Sequence, residues 1–155
     1  MNPTLDDIDK KILSLLQDNG RLSNAQLAKE VGLSPPSMLE RVRKLEANGV
    51  IRKYVALVDP KTLNRSLIAY VSVSLQLHQT EALEEFTEKI QQFPEVLECH
   101  HITGESDYLM KVVIKDMAEY EQFLLERLTH FKAINKIRTS FLLKSMKQET
   151  KIPVD

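Results

Sequence analysis

The chain has 155 residues, of which 43% are hydrophobic and 28% charged, enough for one average core or two small ones. Its longest apolar run, SLIAYVSVSLQL from Ser66 to Leu77, is broken by serines and falls short of a bilayer. MNPTLDDIDKK turns charged at once, so neither a membrane span nor a secretory leader is expected, and the default location is the cytoplasm. A single cysteine, Cys99, excludes an internal disulfide and a multi-cysteine zinc site. The net charge of −1 hides an asymmetry. Gly20 to Lys53 holds seven cations (Arg21, Lys29, Arg41, Arg43, Lys44, Arg52, Lys53) against three acids (Glu30, Glu40, Glu46), whereas Ser66 onward has ten basic and fourteen acidic residues. A cationic module attached to a unit with another job is the expected organisation.

In chain order, Ile8, Ile12, Leu15 and Leu16 recur at helical spacing behind Asp6, Asp7 and Asp9, acids suited to the positive end of a helix dipole, and Asn19-Gly20 closes this first helix. Ser23 is placed to cap a second helix, NAQLAKEV, with Leu27, Ala28 and Val31 facing inward and Gly32 as its stop. Ser34 caps a third, with Pro35 at its first position, where a missing N–H costs nothing; Asn48-Gly49 ends it. Helix, tight turn, helix is the geometry of a helix-turn-helix, whose second paired helix enters the major groove. On the third helix Met38, Val42 and Leu45 form an apolar stripe, while Ser37, Glu40, Arg41 and Lys44 share another face. The DNA-contacting residues expected here are Ser34, Ser37, Met38, Arg41, Arg43 and Lys44, with Ser37 and Arg41 reaching into the groove. A solvated amphipathic helix with an ordinary Glu40–Lys44 pair is the plainer alternative; the preceding helix, the turn, the serine cap and the local charge surplus favour DNA.

After Gly49 the apolar period drops from helical to alternating. Ile51 to Asp59 reads as a strand and DPKTLN as a turn, giving a helix-turn-helix domain over 1–50, a hinge strand and linker over 51–64, and a second domain over 65–155. The second domain reads as strand (66 to 77), helix (80 to 92), strand (95 to 103), strand (107 to 115), helix (117 to 130) and strand (134 to 145), the βαββαβ order of a ferredoxin-like domain, so the fold class is α+β. Leu83, Phe86, Ile90 and Phe93 form one helical stripe, and Tyr120, Phe123, Leu124, Leu128 and Phe131 the other. Two helices cover one sheet face only. The expected second face keeps Leu109 and Val113 on one strand and Ile134 and Leu142, opposite Ile137, Phe141 and Leu143, on another. Such uncovered apolar surface predicts sheet-to-sheet dimerisation.

The stretch ECHHITGESDYLMKVVI is a second place for chemistry. Gly104 to Asp107 joins two antiparallel strands, and taken alone is a hairpin turn. His100 and His101 are neighbours on a strand, point to opposite faces and cannot jointly chelate an ion. Cys99 reads as a buried inert thiol. No phosphate-cradling Gly-rich loop, GxSxG or HExxH is present, so no catalytic residue, metal or cofactor is expected.

Three segments, LDDIDKKILSLLQDNGRLSNAQLAKEVGLSPPSMLERVRKLEANGVI, GESDYLMKV and IRTSFLL, make the whole chain resemble the Lrp/AsnC (feast/famine) family of transcriptional regulators. The resemblance implies an N-terminal helix-turn-helix and a ligand-sensing βαββαβ domain that dimerises and commonly assembles into an octamer of four dimers. It also implies a small-metabolite effector, typically an amino acid, bound between dimers near the turn after the second sensing-domain strand. By motif match the effector residues would be Gly104, Ser106, Asp107 and Tyr108, with Thr139 and Ser140 from a neighbouring subunit. Backbone N–H groups near Gly104 would hold a carboxylate, and Asp107 would accept from an ammonium. The expected partners are double-stranded DNA, that effector and further copies of the chain, with no membrane. The rivals are an architectural protein that wraps DNA with little sequence preference, and a small metabolic enzyme, since ferredoxin-like domains host many chemistries.

Overall fold

The computed structural model describes residues 4–76 and 80–154. It divides into a helical unit, Met1–Leu57 with Lys147–Asp155, and a sheet unit, Val58–Met146.

The helical unit is built by its caps. Asp6 starts α1 (Asp7–Asp18) through a reciprocal box: its carboxylate accepts the Asp9 N–H at 2.8 Å, and the Asp9 carboxylate accepts the Asp6 N–H at 3.4 Å. Ser23 and Gln26 repeat the device at α2 (Asn24–Val31), which ends at Gly32 with φ +82°, a backbone state glycine adopts without penalty. Ser34 caps α3 (Pro35–Ala47) through the Ser37 N–H. Ile12, Leu27, Ala28, Met38, Val42 and Leu45 form the buried centre common to the three helices.

The segment after α3 differs from its sequence reading. Residues 52–59 carry no strand pairing, so the expected hinge strand is only an unpaired, exposed stretch, with Leu57 76% exposed. The physical reason is that an alternating pattern makes a strand only where a second strand takes its N–H and C=O groups, and among the described residues of one chain none does. Tyr54 ties the stretch down: its hydroxyl donates to Glu46 Oε1 at 3.0 Å. Burial, then the Glu46 hydrogen bond and charge, push the Tyr54 phenol up to about 12. A folded value above the unfolded one means that this contact is fully kept below the ordinary tyrosine range and weakens as pH rises toward 12. An absorbance titration should therefore show a late phenolate component that Tyr54→Phe removes; an unchanged titration curve in that variant would refute the contact.

At the chain end, Lys147–Asp155 groups with the helical unit by its contacts. The Gln17 amide donates to the Ile152 carbonyl at 3.0 Å and accepts the Ile152 N–H at 2.7 Å, while Lys151 reaches the Asp18 carboxylate at 2.6 Å. Polar pairings 133 and 135 residues apart leave no periodic trace in a sequence.

In the sheet unit, β1 (Leu67–Leu75), β2 (Val96–His101), β3 (Tyr108–Ile114) and β4 (Ile134–Phe141) form an antiparallel sheet in the order β2-β3-β1-β4. With α4 (Thr80–Ile90) and α5 (Met117–Phe123), the latter continued by a π-helical turn at Leu124–Leu128, this is the expected βαββαβ order. Ala69, Val71, Val73, Met110, Val112 and Ile114 meet Phe86, Ile90, Tyr120, Phe123, Leu128 and Phe131 in one core. Leu77 and the side chain of Leu83 lie outside the described residues.

The face away from the helices holds Ile68 and Tyr70 of β1, Leu109 and the buried Val113 of β3 and, just past β4, Leu142, whose N–H bonds the Ile68 carbonyl. Ile134 is a correction. Ser74 pairs with Lys136 but Leu75 pairs with Ile134, so Asn135 is a bulge and Ile134 joins Ile137 and Phe141 against the helix-side core. Leu143, 98% exposed, lies beyond the strand. Among the described residues, no helix is long and apolar enough to cross a membrane.

Candidate functional site

The surface of α3 separates cleanly. Met38, Val42 and Leu45 point into the helical core, whereas Pro35, Pro36, Glu40, Arg43 and Lys44 are exposed and Ser37 is half-buried. Met38, expected among the DNA-contacting residues, is 0% exposed, so it is corrected to a core residue: the stripe that packs α3 on α1 and α2 cannot also touch a groove. No ion pair holds Arg43 or Lys44 among the described residues, and the Glu40–Lys44 pair of the plainer reading does not form there. Two unneutralised cations on an exposed helix face are the arrangement a phosphate backbone attracts.

The start of α3 offers less than its cap suggests. Pro35 and Pro36 have no N–H, and the Ser37 N–H is taken by Ser34 Oγ at 3.4 Å. A phosphate there would meet the Ser34 and Ser37 hydroxyls and the apolar proline rings, not the row of free backbone donors that usually makes a helix start an anion site. Arg41 is turned back toward α1. Its Nη1 donates to Asp6 Oδ2 and Asp9 Oδ1, both at 2.8 Å. The Asp9 N–H first, and Arg41 second, hold the Asp6 carboxyl below the ordinary aspartate range.

In the sheet unit the Ile102 N–H bonds the Asp107 carbonyl at 2.9 Å, closing the turn that contains Gly104 at φ +124°. Nothing would obstruct a Cβ at Gly104, so its constraint is conformational. Asp107 ties the turn to β1: its N–H donates to the Val73 carbonyl at 2.9 Å and its Oδ2 accepts the Leu75 N–H at 2.7 Å. Glu105 lies over the open sheet face, its carbonyl accepting from Ser74 Oγ at 3.1 Å and its carboxylate meeting Arg138 Nη1 at 3.0 Å. Ser72, Glu105, Ser106, Lys136 and Arg138 line a shallow depression there.

Of the six residues matched to the effector role, the structure brings only some together. Ser106 borders the depression, and Ser140, opposite Tyr70, shares the open face. Tyr108 and Thr139 face the other way. Tyr108 is buried, its ring tilted against those of Phe86 and His101 with centroids 4.8 Å and 5.1 Å away, and Thr139, opposite Val71, pairs its hydroxyl with Tyr120 Oη. Strand alternation decides this, because Thr139 and Ser140 are adjacent and cannot share a face. Ser72, Lys136 and Arg138 were not anticipated, although Lys136, Arg138 and Ser140 form an every-second-residue polar row that could have been noticed. His100, paired with Leu109, and His101, paired with Tyr108, do point to opposite faces, and no metal-ligating cluster occurs among the described residues.

Three capped helices in helix-turn-helix order and a separate βαββαβ unit give the layout of a two-unit DNA-binding protein. The profile for the Lrp/AsnC ligand binding domain matches residues 68–152, and one for a winged helix-turn-helix DNA-binding domain matches residues 5–52. The chain is 40% identical over 150 residues to the leucine-responsive regulatory protein of Escherichia coli, covering 97% of this chain and 92% of that one. Its fold matches a Neisseria meningitidis transcriptional regulator solved in complex with L-Met, with TM-score 0.93, 39% identity and 98% of each chain covered. It also matches Escherichia coli AsnC, with TM-score 0.88, 25% identity, and 97% and 100% covered. The chain therefore belongs to the Lrp/AsnC family of transcriptional regulators.

Proposed function

We infer that the protein binds specific duplex sites through the exposed face of α3, with Ser34, Ser37, Arg43 and Lys44 at the DNA, and that an amino acid acts as effector on the sheet unit. Acting on DNA places it in the cytoplasm. The observation that carries the DNA assignment is the division of α3 into a buried Met38, Val42, Leu45 stripe and an exposed Arg43 and Lys44 with no ion pair among the described residues. Removing one cation from a phosphate lowers the slope of log affinity against log salt by about 0.9. Replacing Arg43 and Lys44 by alanine should weaken binding to a selected duplex and flatten that slope by about 1 to 2; an unchanged slope would exclude both from the interface. A comparison with scrambled DNA at fixed salt separates this from an architectural protein, for which the affinity ratio would be near one.

The effector reading rests on charge complementarity: Lys136 and Arg138 suit a carboxylate, Glu105 an ammonium, and the Ser72 and Ser106 hydroxyls either. An amino acid would replace the Glu105–Arg138 pair with two pairs of its own. The depression is open to solvent, so a copy from a neighbouring dimer would close it; four such dimers would form the octamer. Closure by a partner couples ligand to assembly, since a ligand shifts an equilibrium only by binding one state better. A thermal-shift screen of the amino acids, with sizing of each hit, tests this. Arg138→Gln should abolish the shift while the unliganded midpoint stays put, and a retained shift would place the effector elsewhere.

A further inference from the structure

The cluster of Asp6, Asp9 and Arg41 uses every carboxylate oxygen it has. Asp6 Oδ1 accepts the Asp9 N–H and Asp9 Oδ2 the Asp6 N–H, forming the capping box of α1; the two remaining oxygens, Asp6 Oδ2 and Asp9 Oδ1, both receive Arg41 Nη1 at 2.8 Å. Arg41 sits in α3 between the buried Met38 and Val42, so the cap of the first helix and the middle of the third are held by one guanidinium across 32 and 35 residues of chain. Its charge is also outweighed there, because one cation between two carboxylates leaves a local surplus of −1, which repels phosphate. We propose that Arg41 is a positioning residue: bound to the α1 cap, it sets the seat of α3 so that Ser37, Arg43 and Lys44 face the DNA, and it does not itself read a base.

This rests on α3 being the DNA-contacting helix, and the test separates the two ideas. The full-length protein is first used to enrich a duplex from a random-sequence pool; failure to enrich any duplex would end the DNA reading itself. Binding of that duplex is then measured for Arg41→Met, for D6N/D9N, for the three changes combined, and for R43A/K44A as the reference for direct contact. Asparagine still caps a helix, so D6N/D9N removes the ion pairs while sparing the box. Arg41→Met and D6N/D9N should each weaken specific binding about tenfold, with the combination no worse than either alone, because coupled residues are not additive. The salt slope should stay at the unmodified value in these variants and fall only in R43A/K44A.

A direct base contact makes the opposite prediction. D6N/D9N would then bind as tightly as the unmodified protein, or tighter, because freeing Arg41 strengthens it, while Arg41→Met alone would lose affinity. That result overturns the proposal, as would additive losses in the combination. Thermal midpoints keep the test decisive if a variant binds no DNA at all. Equal drops for Arg41→Met and D6N/D9N with no further drop on combining them support the cluster, and additive drops refute it.

Discussion

Met38→Ala is expected to remove a large part of the stability of the helical unit, and so to weaken DNA binding, while the sheet unit keeps its own unfolding transition. Met38 is completely buried among Ile12, Leu27, Ala28, Val42 and Leu45. Truncating a buried methionine to alanine costs about 2 to 5 kcal/mol, because the lost transfer energy is joined by that of an unfilled cavity. A unit this small holds only about 3 to 10 kcal/mol in total, at the usual stability per residue. Met38→Leu conserves volume and should cost less than about 1.5 kcal/mol, leaving DNA binding near its original level. Differential scanning calorimetry of both variants, read with a DNA-binding assay, separates the core role from a contact role. If Met38 touched DNA, Met38→Ala would lose affinity with the calorimetric profile intact.

The second large effect is at Asp107. Its carboxylate accepts the partly buried Leu75 N–H at 2.7 Å, and the residue lies where the turn meets β1 and β3. Asp107→Ala removes a charge-assisted acceptor and strands that donor, a loss of about 2 to 3 kcal/mol. Asp107→Asn keeps an oxygen in reach of the donor and should retain most of the stability. Urea unfolding of the two variants measures this difference. It also distinguishes a turn-holding role from an effector contact: a residue that only met a ligand's ammonium would lose ligand binding in Asp107→Asn while both variants unfolded at the original midpoint. This bond is one of several that hold the GESD turn against β1, so on the proposed site effector affinity should fall in Asp107→Ala through displacement of Glu105 and Ser106.

Local signals in this chain were legible because their physics is local. Ser23 and Ser34 cap the two helices expected of them, the acids expected at the start of α1 are there, with Asp6 as its cap, Gly32 takes the left-handed conformation that stops α2, and the change of apolar period marks where helices give way to the sheet unit. Most of the predicted helical stripes, Phe86, Ile90, Tyr120, Phe123, Leu128 and Phe131, are buried against one sheet face. The failures share a different cause. A bulge at Asn135 adds one residue to β4 and puts Ile134 on the face opposite the one that simple alternation gives it. The Arg41 contacts with Asp6 and Asp9, and the Lys151 contact with Asp18, depend on how distant elements lie against each other. The polar row of Lys136, Arg138 and Ser140 lies in plain alternation, and a motif match at Thr139 and Ser140 ignores that neighbouring strand residues look opposite ways.

Residue order alone determined the two-part organisation, the helix starts and stops, the cationic third helix and the family, since capping, periodicity and charge act over a few residues and survive in any one-dimensional reading. Only the tertiary structure decided which cations of α3 remain free, which side of the sheet each polar residue serves, and that the last nine residues join the helical unit. Those outcomes follow from side chains competing for partners in space. A guanidinium offered two carboxylates by a neighbouring helix goes to them, whatever its own helix face predicts.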